Sequence, residues 1–312
     1  MNLVLLVSGL GLLALPGLVR RVGRLVAPGE FARLCAFALL AGAVVVEVAT
    51  ALYAALTVLR AAGVPVLASV CERMLGPLVP GGAAAGWAAA VVALALPVLM
   101  GLGVVRARKT YRIVHIEPWL GEHHRYGTYD LVVIPTDELI AVSVYGAPPQ
   151  VIVSSGLVAS LSSAELEGVL RHEAAHLEHR HQRLLLLATA LESGLGFVPL
   201  VRRSTAALRT AVERWADEEA AGGTCERRHA LRGALLGMTG ALGVPAVAAF
   251  SPVETVVERV LALEAPSMPA TGLHRAVLYL PGLVLGAAVL VALVSWTAEA
   301  RMVMAMANSC PV

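Results

Sequence analysis

The stretch Ser162–His181, SSAELEGVLRHEAAHLEHRH, decides how the rest of the chain is read. Its pattern is helical: Ser162 or Ser163 can cap a helix whose first turn carries Glu165, and the helix runs on through HEAAH. Residues four apart on a helix share a face, so His172 and His176 present two imidazole nitrogens to one metal ion, with Glu173 beside them. That is the physical content of H-E-x-x-H: two ligands fix a zinc ion, and the carboxylate takes a proton from water as the water attacks a carbonyl. A chain of this composition carries the pattern by chance on the order of 0.016 times, so the motif needs support from its surroundings.

A catalytic zinc takes a third protein ligand and keeps a fourth position open. The metzincin arrangement, with Gly at position 179 and His at position 182, is excluded by His179 and Gln182. The acids further on are Glu192, Glu213, Asp217, Glu218, Glu219 and Glu226. In VERWADEEAA, Glu213 and Asp217 lie four apart and share a helix face, which offers one ligand and one carboxylate to orient a histidine. Glu213 is taken as the third ligand and Asp217 as the carboxylate behind it. His229, Arg227 and Arg228 follow as candidates to stabilise an oxyanion or contact substrate. His179 and His181 are read as solvated or as outer groups of the site; His115, His123, His124 and His274 are read as surface or membrane-interface residues.

The remainder of the chain is membrane-like. Of 312 residues, 58% are hydrophobic and only 4% aromatic, against about 45–50% apolar in soluble globules. The surplus predicts a lipid-facing surface built from Ala, Val, Leu and Gly. Four apolar runs are long enough to span or nearly so: about 3–19, 34–59 (interrupted by Glu47), 83–105 and 276–296. Arg20, Arg21, Arg24 and Arg33 flank the first connection, and Arg106, Arg108, Lys109 and Arg112 follow the third run. The positive-inside rule then puts the N-terminus outside a bacterial plasma membrane and residues 106–275 in the cytoplasm. A net charge of +2, without a basic tract, is too small to suggest nucleic acid, and none is expected as a partner. Four scattered cysteines make no structural zinc site; Cys71 and Cys310, both outside in this topology, are candidates for a disulfide.

The domain organisation expected is therefore three membrane helices in 1–105, an internal domain in 106–275, and a fourth helix with a short tail in 276–312. Within the internal domain, IVHI, DLVVI, LIAVSVY and VIVSS read as strands separated by turn signals. Leu139–Val144 and Val151–Ser155 are the candidate edges for an extended substrate. The apolar run Leu184–Val201 looks like another span. A full crossing would put Glu213 on the far side of a ~30 Å hydrocarbon core from His172 and His176. It is read instead as a hairpin, an interfacial helix or a core helix.

The segment VIVSSGLVASLSSAELEGVLRHEAAHLEHRH, followed by ERWADEEAA, resembles the membrane gluzincins of the BlaR/MecR type. HtpX-like and CAAX prenyl proteases are more distant likenesses. The resemblance implies a multi-pass α-helical membrane protein with an inserted α+β zincin-like metallopeptidase domain. It implies one zinc ion per chain, held by His172, His176 and Glu213, with Glu173 as general base, and cleavage of a protein or peptide substrate at the cytoplasmic face beside membrane lipid. BlaR-type receptors continue into an extracellular penicillin-binding sensor, whereas this sequence ends at Val312, so antibiotic sensing by that route is not expected. The other class of function is a signalling or scaffold protein with a non-proteolytic zinc site.

Overall fold

The computed structural model describes residues 2–64, 82–112, 122–241, 253–264 and 271–308. The IVHI strand, Cys71 and Cys310 lie outside these residues. The chain opens with α1 (Asn2–Leu18), a short α2 (Arg20–Gly23), α3 (Pro28–Ala61) and α4 (Gly82–Arg112). A small sheet follows: β1 (Glu122–Tyr126), β2 (Tyr129–Ile134), β3 (Ala141–Val144) and β4 (Gln150–Ser154). The chain then stays helical through α5 (Ser155–Ser160), α6 (Ser163–Glu178), α7 (His181–Leu195), α8 (Pro199–Ala221), α9 (Cys225–Ala241), α10 (Val253–Glu264) and α11 (Gly272–Asn308).

Among the described residues, three helices are by length and composition able to cross a membrane, in Pro28–Ala61, Ala83–Lys109 and Gly272–Val291. At 1.5 Å per residue, the first two exceed the ~30 Å of hydrocarbon and the third matches it. Helix α1 is shorter, with its apolar part at Val4–Leu18. Phe37, Leu94 and Leu283, about two-thirds or more exposed, stand on the outward surfaces of α3, α4 and α11, as lipid-facing side chains do. Glu47 breaks the apolar pattern of α3, and its Oε2 is buried with no hydrogen-bond partner among the described residues.

The sheet order is β1-β2-β4-β3, with β1/β2 and β3/β4 antiparallel and β2/β4 parallel. Gly127, at φ +64°, makes the tight β1–β2 turn, where a residue without Cβ adopts the left-handed region freely. Among the described residues β3 is an edge and β4 is interior, so of the two candidate substrate edges only β3 has a side without a paired strand. Strand β1, EHHRY, has no apolar alternation and was not anticipated. Val151, Val153 and Tyr129 pack onto Leu157, Val169, Leu170 and Ala234, which seats α6 and α9 on one face of the sheet.

A second core joins the candidate membrane helices to the helices after the motif. Leu13, Phe31, Leu39 and Val46 pack with Leu191, Val201, Leu208 and Trp215. The apolar run 184–201 takes in most of α7, the turn at Gly196 to Val198 and the first residues of α8, which Pro199 opens with its φ already helical; α7 and α8 form a helical hairpin. Helix α7 lies tightly along α4. A Cβ on Gly103 would sit 2.1 Å from the Ala190 carbonyl oxygen, and one on Gly194 would sit 2.5 Å from that of Leu99. Only glycine permits that approach. The hairpin returns the chain to its starting side, and α8 brings Glu213 and Asp217 back to α6.

Candidate metal centre

Helix α6 begins with a capping box: the Ser162 hydroxyl accepts from the Glu165 backbone N–H at 3.4 Å, and the Ser162 N–H donates to Glu165 Oε2 at 2.9 Å. The Ser162 hydroxyl also donates to Glu165 Oε2 at 2.7 Å, and this bond, with that from the Ser162 N–H, holds the Glu165 carboxyl below its ordinary pKa. The helix then presents His172 and His176, both buried, on its inner face, with Glu173 half-buried between them. Tyr145, just past β3, donates its hydroxyl to the His176 carbonyl and accepts from the Gln182 N–H at 3.2 Å, tying the edge strand to the end of the motif helix.

Three donor side chains converge. His172 Nε2 and His176 Nε2 are 3.1 Å apart, Glu213 Oε2 lies 3.6 Å from the former, and Glu213 Oε1 lies 3.8 Å from the latter. His172, His176 and Glu213 form a group able to hold a metal ion, all donors lying within 4.8 Å of one another. Ligands bound at about 2.1 Å to a tetrahedral ion stand about 3.4 Å apart. The triangle therefore has the size, and the two-imidazole, one-carboxylate chemistry, of a zinc ligand set with one position left over.

Asp217 backs the triangle. Its Oδ1 lies 3.0 Å from His172 Nδ1, an ionic contact in which the N–H is not aligned on the oxygen. Sequence reasoning missed Arg259, on α10. Its Nε and Nη2 each donate at 2.8 Å to the two oxygens of Asp217, and its Nη1 lies 3.1 Å from Glu213 Oε2. Nη2 also stands 3.5 Å from His172 Nε2. One signal was available: Val256, Arg259 and Leu263 are all buried along α10, so an arginine occupies its apolar stripe.

The charges follow from this arrangement. Burial pushes the Glu213 and Asp217 carboxyls up, but Arg259 and the imidazoles outweigh it and hold both well below the usual carboxylate range. Burial pulls His172 down, yet the neighbouring Asp217 and Glu213 carboxylates prevail and raise it to about 9 without metal. His176 is lowered, chiefly by burial. Burial, with neighbouring His176 and His179, takes His181 down to about 3. Arg259 is raised, the two carboxylates overcoming its desolvation.

His181 is fully buried against His176, not solvated, and His179 is half-buried. Arg228 is buried and ion-paired with Glu218; His229 and Arg227 are exposed on α9. No described contact joins Arg227, Arg228 or His229 to the three donors. His124 is exposed on β1.

The sequence model of peptidase family M48 matches residues 122–259, less than half of the chain, and runs from β1 to Arg259. It takes in the sheet, the motif helix, the hairpin and every residue of the buried cluster just described. The match supports a metallopeptidase. No curated protein and no solved structure matches the chain significantly.

Proposed function

We propose that the chain is a membrane-embedded zinc endopeptidase of the H-E-x-x-H plus Glu type, cleaving a protein or peptide substrate at the cytoplasmic face. The observation that carries this reading is the convergence of His172, His176 and Glu213 within 4.8 Å, with Glu173 on the same helix turn.

When bound by these three residues, zinc supplies Lewis acidity and lowers the pKa of water towards ~7. The chain's own groups do the rest. Glu173 accepts the proton of the attacking water and returns it to the departing amine. Asp217 holds the His172 ring from behind, and Arg259 fixes Asp217 and Glu213 together so that neither carboxylate swings away. The open side of β3, at Ala141–Val144, receives an extended peptide as an added strand, with the Tyr145 hydroxyl anchoring that edge to His176.

We read α1, α3, α4 and α11 as the membrane helices, with the N-terminus outside and the metal centre in the cytoplasm. Supporting this, the basic connection between α1 and α3 sits against the catalytic helices. Arg20 and Arg24 pair with Glu258 at 2.6 and 2.7 Å, and Arg214 donates to the Arg24 carbonyl. These contacts support a reading in which the arginine-rich loop and the metal centre share one side of the bilayer. The shared core of α3, α7 and α8 holds that centre close to lipid.

The test is metal content and cleavage of an unfolded protein substrate, in detergent, by the wild-type chain and Glu173→Gln. Zinc is expected in both, with cleavage lowered about 10²–10⁴-fold in the variant. Zinc in both with cleavage by neither would overturn the enzyme reading in favour of a scaffold with a non-proteolytic zinc site.

A further inference from the structure

We propose that His181 is a positioning residue that fixes the metal-binding tautomer of His176, an inference that rests on the zinc reading above. His181 Nδ1 lies 3.1 Å from His176 Nδ1, and the two rings meet edge to face at 4.9 Å and 85°. His181 is fully buried, and its Nε2 has no hydrogen-bond partner among the described residues, so its described hydrogen bonding is with His176 alone.

The chain geometry brings this about. Helix α6 ends at Glu178, and Arg180 takes φ +53°, a left-handed conformation unfavourable for a residue with a side chain. That turn starts α7 at His181 and swings its ring back onto His176. The Trp215 ring, 4.7 Å away and tilted 55°, closes over it; His179 stacks at 5.6 Å. Trp215 stands between Glu213 and Asp217 on α8, so the helix that supplies the third ligand also walls in His181.

The tautomer argument is one of proton counting. A neutral imidazole carries one N–H, so binding a metal through Nε2 places the hydrogen of His176 on Nδ1. Buried there, that N–H takes an acceptor, and the described acceptor is His181 Nδ1. His181 must then keep its own hydrogen on Nε2. The reverse arrangement, with His181 donating from Nδ1, drives the His176 hydrogen onto Nε2 and blocks the metal. The two ligands are thus oriented by different chemistries, a carboxylate behind His172 and a neutral imidazole behind His176. The site keeps its ligand geometry without a further buried negative charge.

The test uses the full chain in detergent. In the zinc-loaded wild type, ¹⁵N NMR of labelled histidines should show His176 protonated at Nδ1 and His181 protonated at Nε2 with Nδ1 bare. By chelator competition, His181→Leu should lose 10–100-fold in zinc affinity, and His181→Asn, whose amide oxygen stands where Nδ1 was, should stay within about threefold of wild type. The visible spectrum of the cobalt-substituted protein should shift in the Leu variant and not in Asn. A hydrogen on His181 Nδ1, or a Leu variant with wild-type affinity and spectrum, would overturn the proposal. The NMR measurement decides it even if the Leu variant does not fold. A wild-type chain that takes up no zinc would overturn both this inference and the reading it rests on, whereas loss confined to His181 variants leaves that reading standing.

Discussion

Arg259 grips Asp217 through two hydrogen bonds of 2.8 Å, one to each carboxylate oxygen, across 42 residues of sequence. The same guanidinium reaches Glu213 at 3.1 Å. One buried cation therefore neutralises both a candidate metal ligand and the carboxylate behind another.

Removing that cation leaves two buried carboxylates uncompensated. Arg259→Leu is expected to cost about 3–5 kcal/mol of stability, read as the shift in thermal unfolding of the solubilised chain. Arg259→Lys restores the charge without the planar fork and should fall between the two. An unaltered unfolding temperature in Arg259→Leu would show that the contacts carry no net energy.

Zinc binding should compete with protons at His172. Without metal this ring is raised to about 9, so at about pH 7 it is imidazolium and must shed a proton to act as a ligand. The sign follows: affinity rises about tenfold per pH unit below that value and flattens above it. Asp217→Asn removes a group that raises the ring, and should move the plateau to lower pH. Calorimetry in buffers of different ionisation enthalpy will count the protons released; a pH-independent affinity would refute the competition.

Gly29, near the start of α3, bears directly on the centre. A Cβ there would stand 2.8 Å from the Trp215 ring, closer than packed atoms approach. Gly29→Ala should force Trp215 to shift, at a cost of about 1–3 kcal/mol. Because Trp215 packs on His179 and His181, zinc affinity should fall as well. Tryptophan fluorescence and chelator competition check the two effects separately.

The capping box of α6 is a smaller contribution. Ser162→Ala removes the side-chain acceptor for the Glu165 N–H, and should destabilise the chain by about 1 kcal/mol with metal binding unchanged. Denaturant unfolding measures the first and metal analysis the second.

Much of the site is local in origin and so legible in the residues. The i, i+4 spacing of His172 with His176, and of Glu213 with Asp217, is set by the turn of a helix before any tertiary contact forms. The apolar patterns of DLVVI, LIAVSVY and VIVSS marked β2, β3 and β4, while β1 escaped because an exposed, polar edge strand has no apolar alternation. The demand that Glu213 meet the histidines also argued against a complete crossing by 184–201, and that segment holds most of α7 and the turn into α8.

Three features were decided by the tertiary structure alone. Arg259 reaches Asp217 because α10 packs with α8 and α9 through Leu263, Ala220 and Leu231. His181 is buried because Arg180 turns left-handed and Trp215 closes over the ring. The candidate membrane helices and the hairpin share one core because glycines let α4 and α7 touch backbone to backbone. Helix periodicity and capping act over a few residues, so the sequence by itself determined the motif helix and its donor spacing. Which distant side chain neutralises, walls in or supports those donors depends on how helices pack, and no local pattern encodes that.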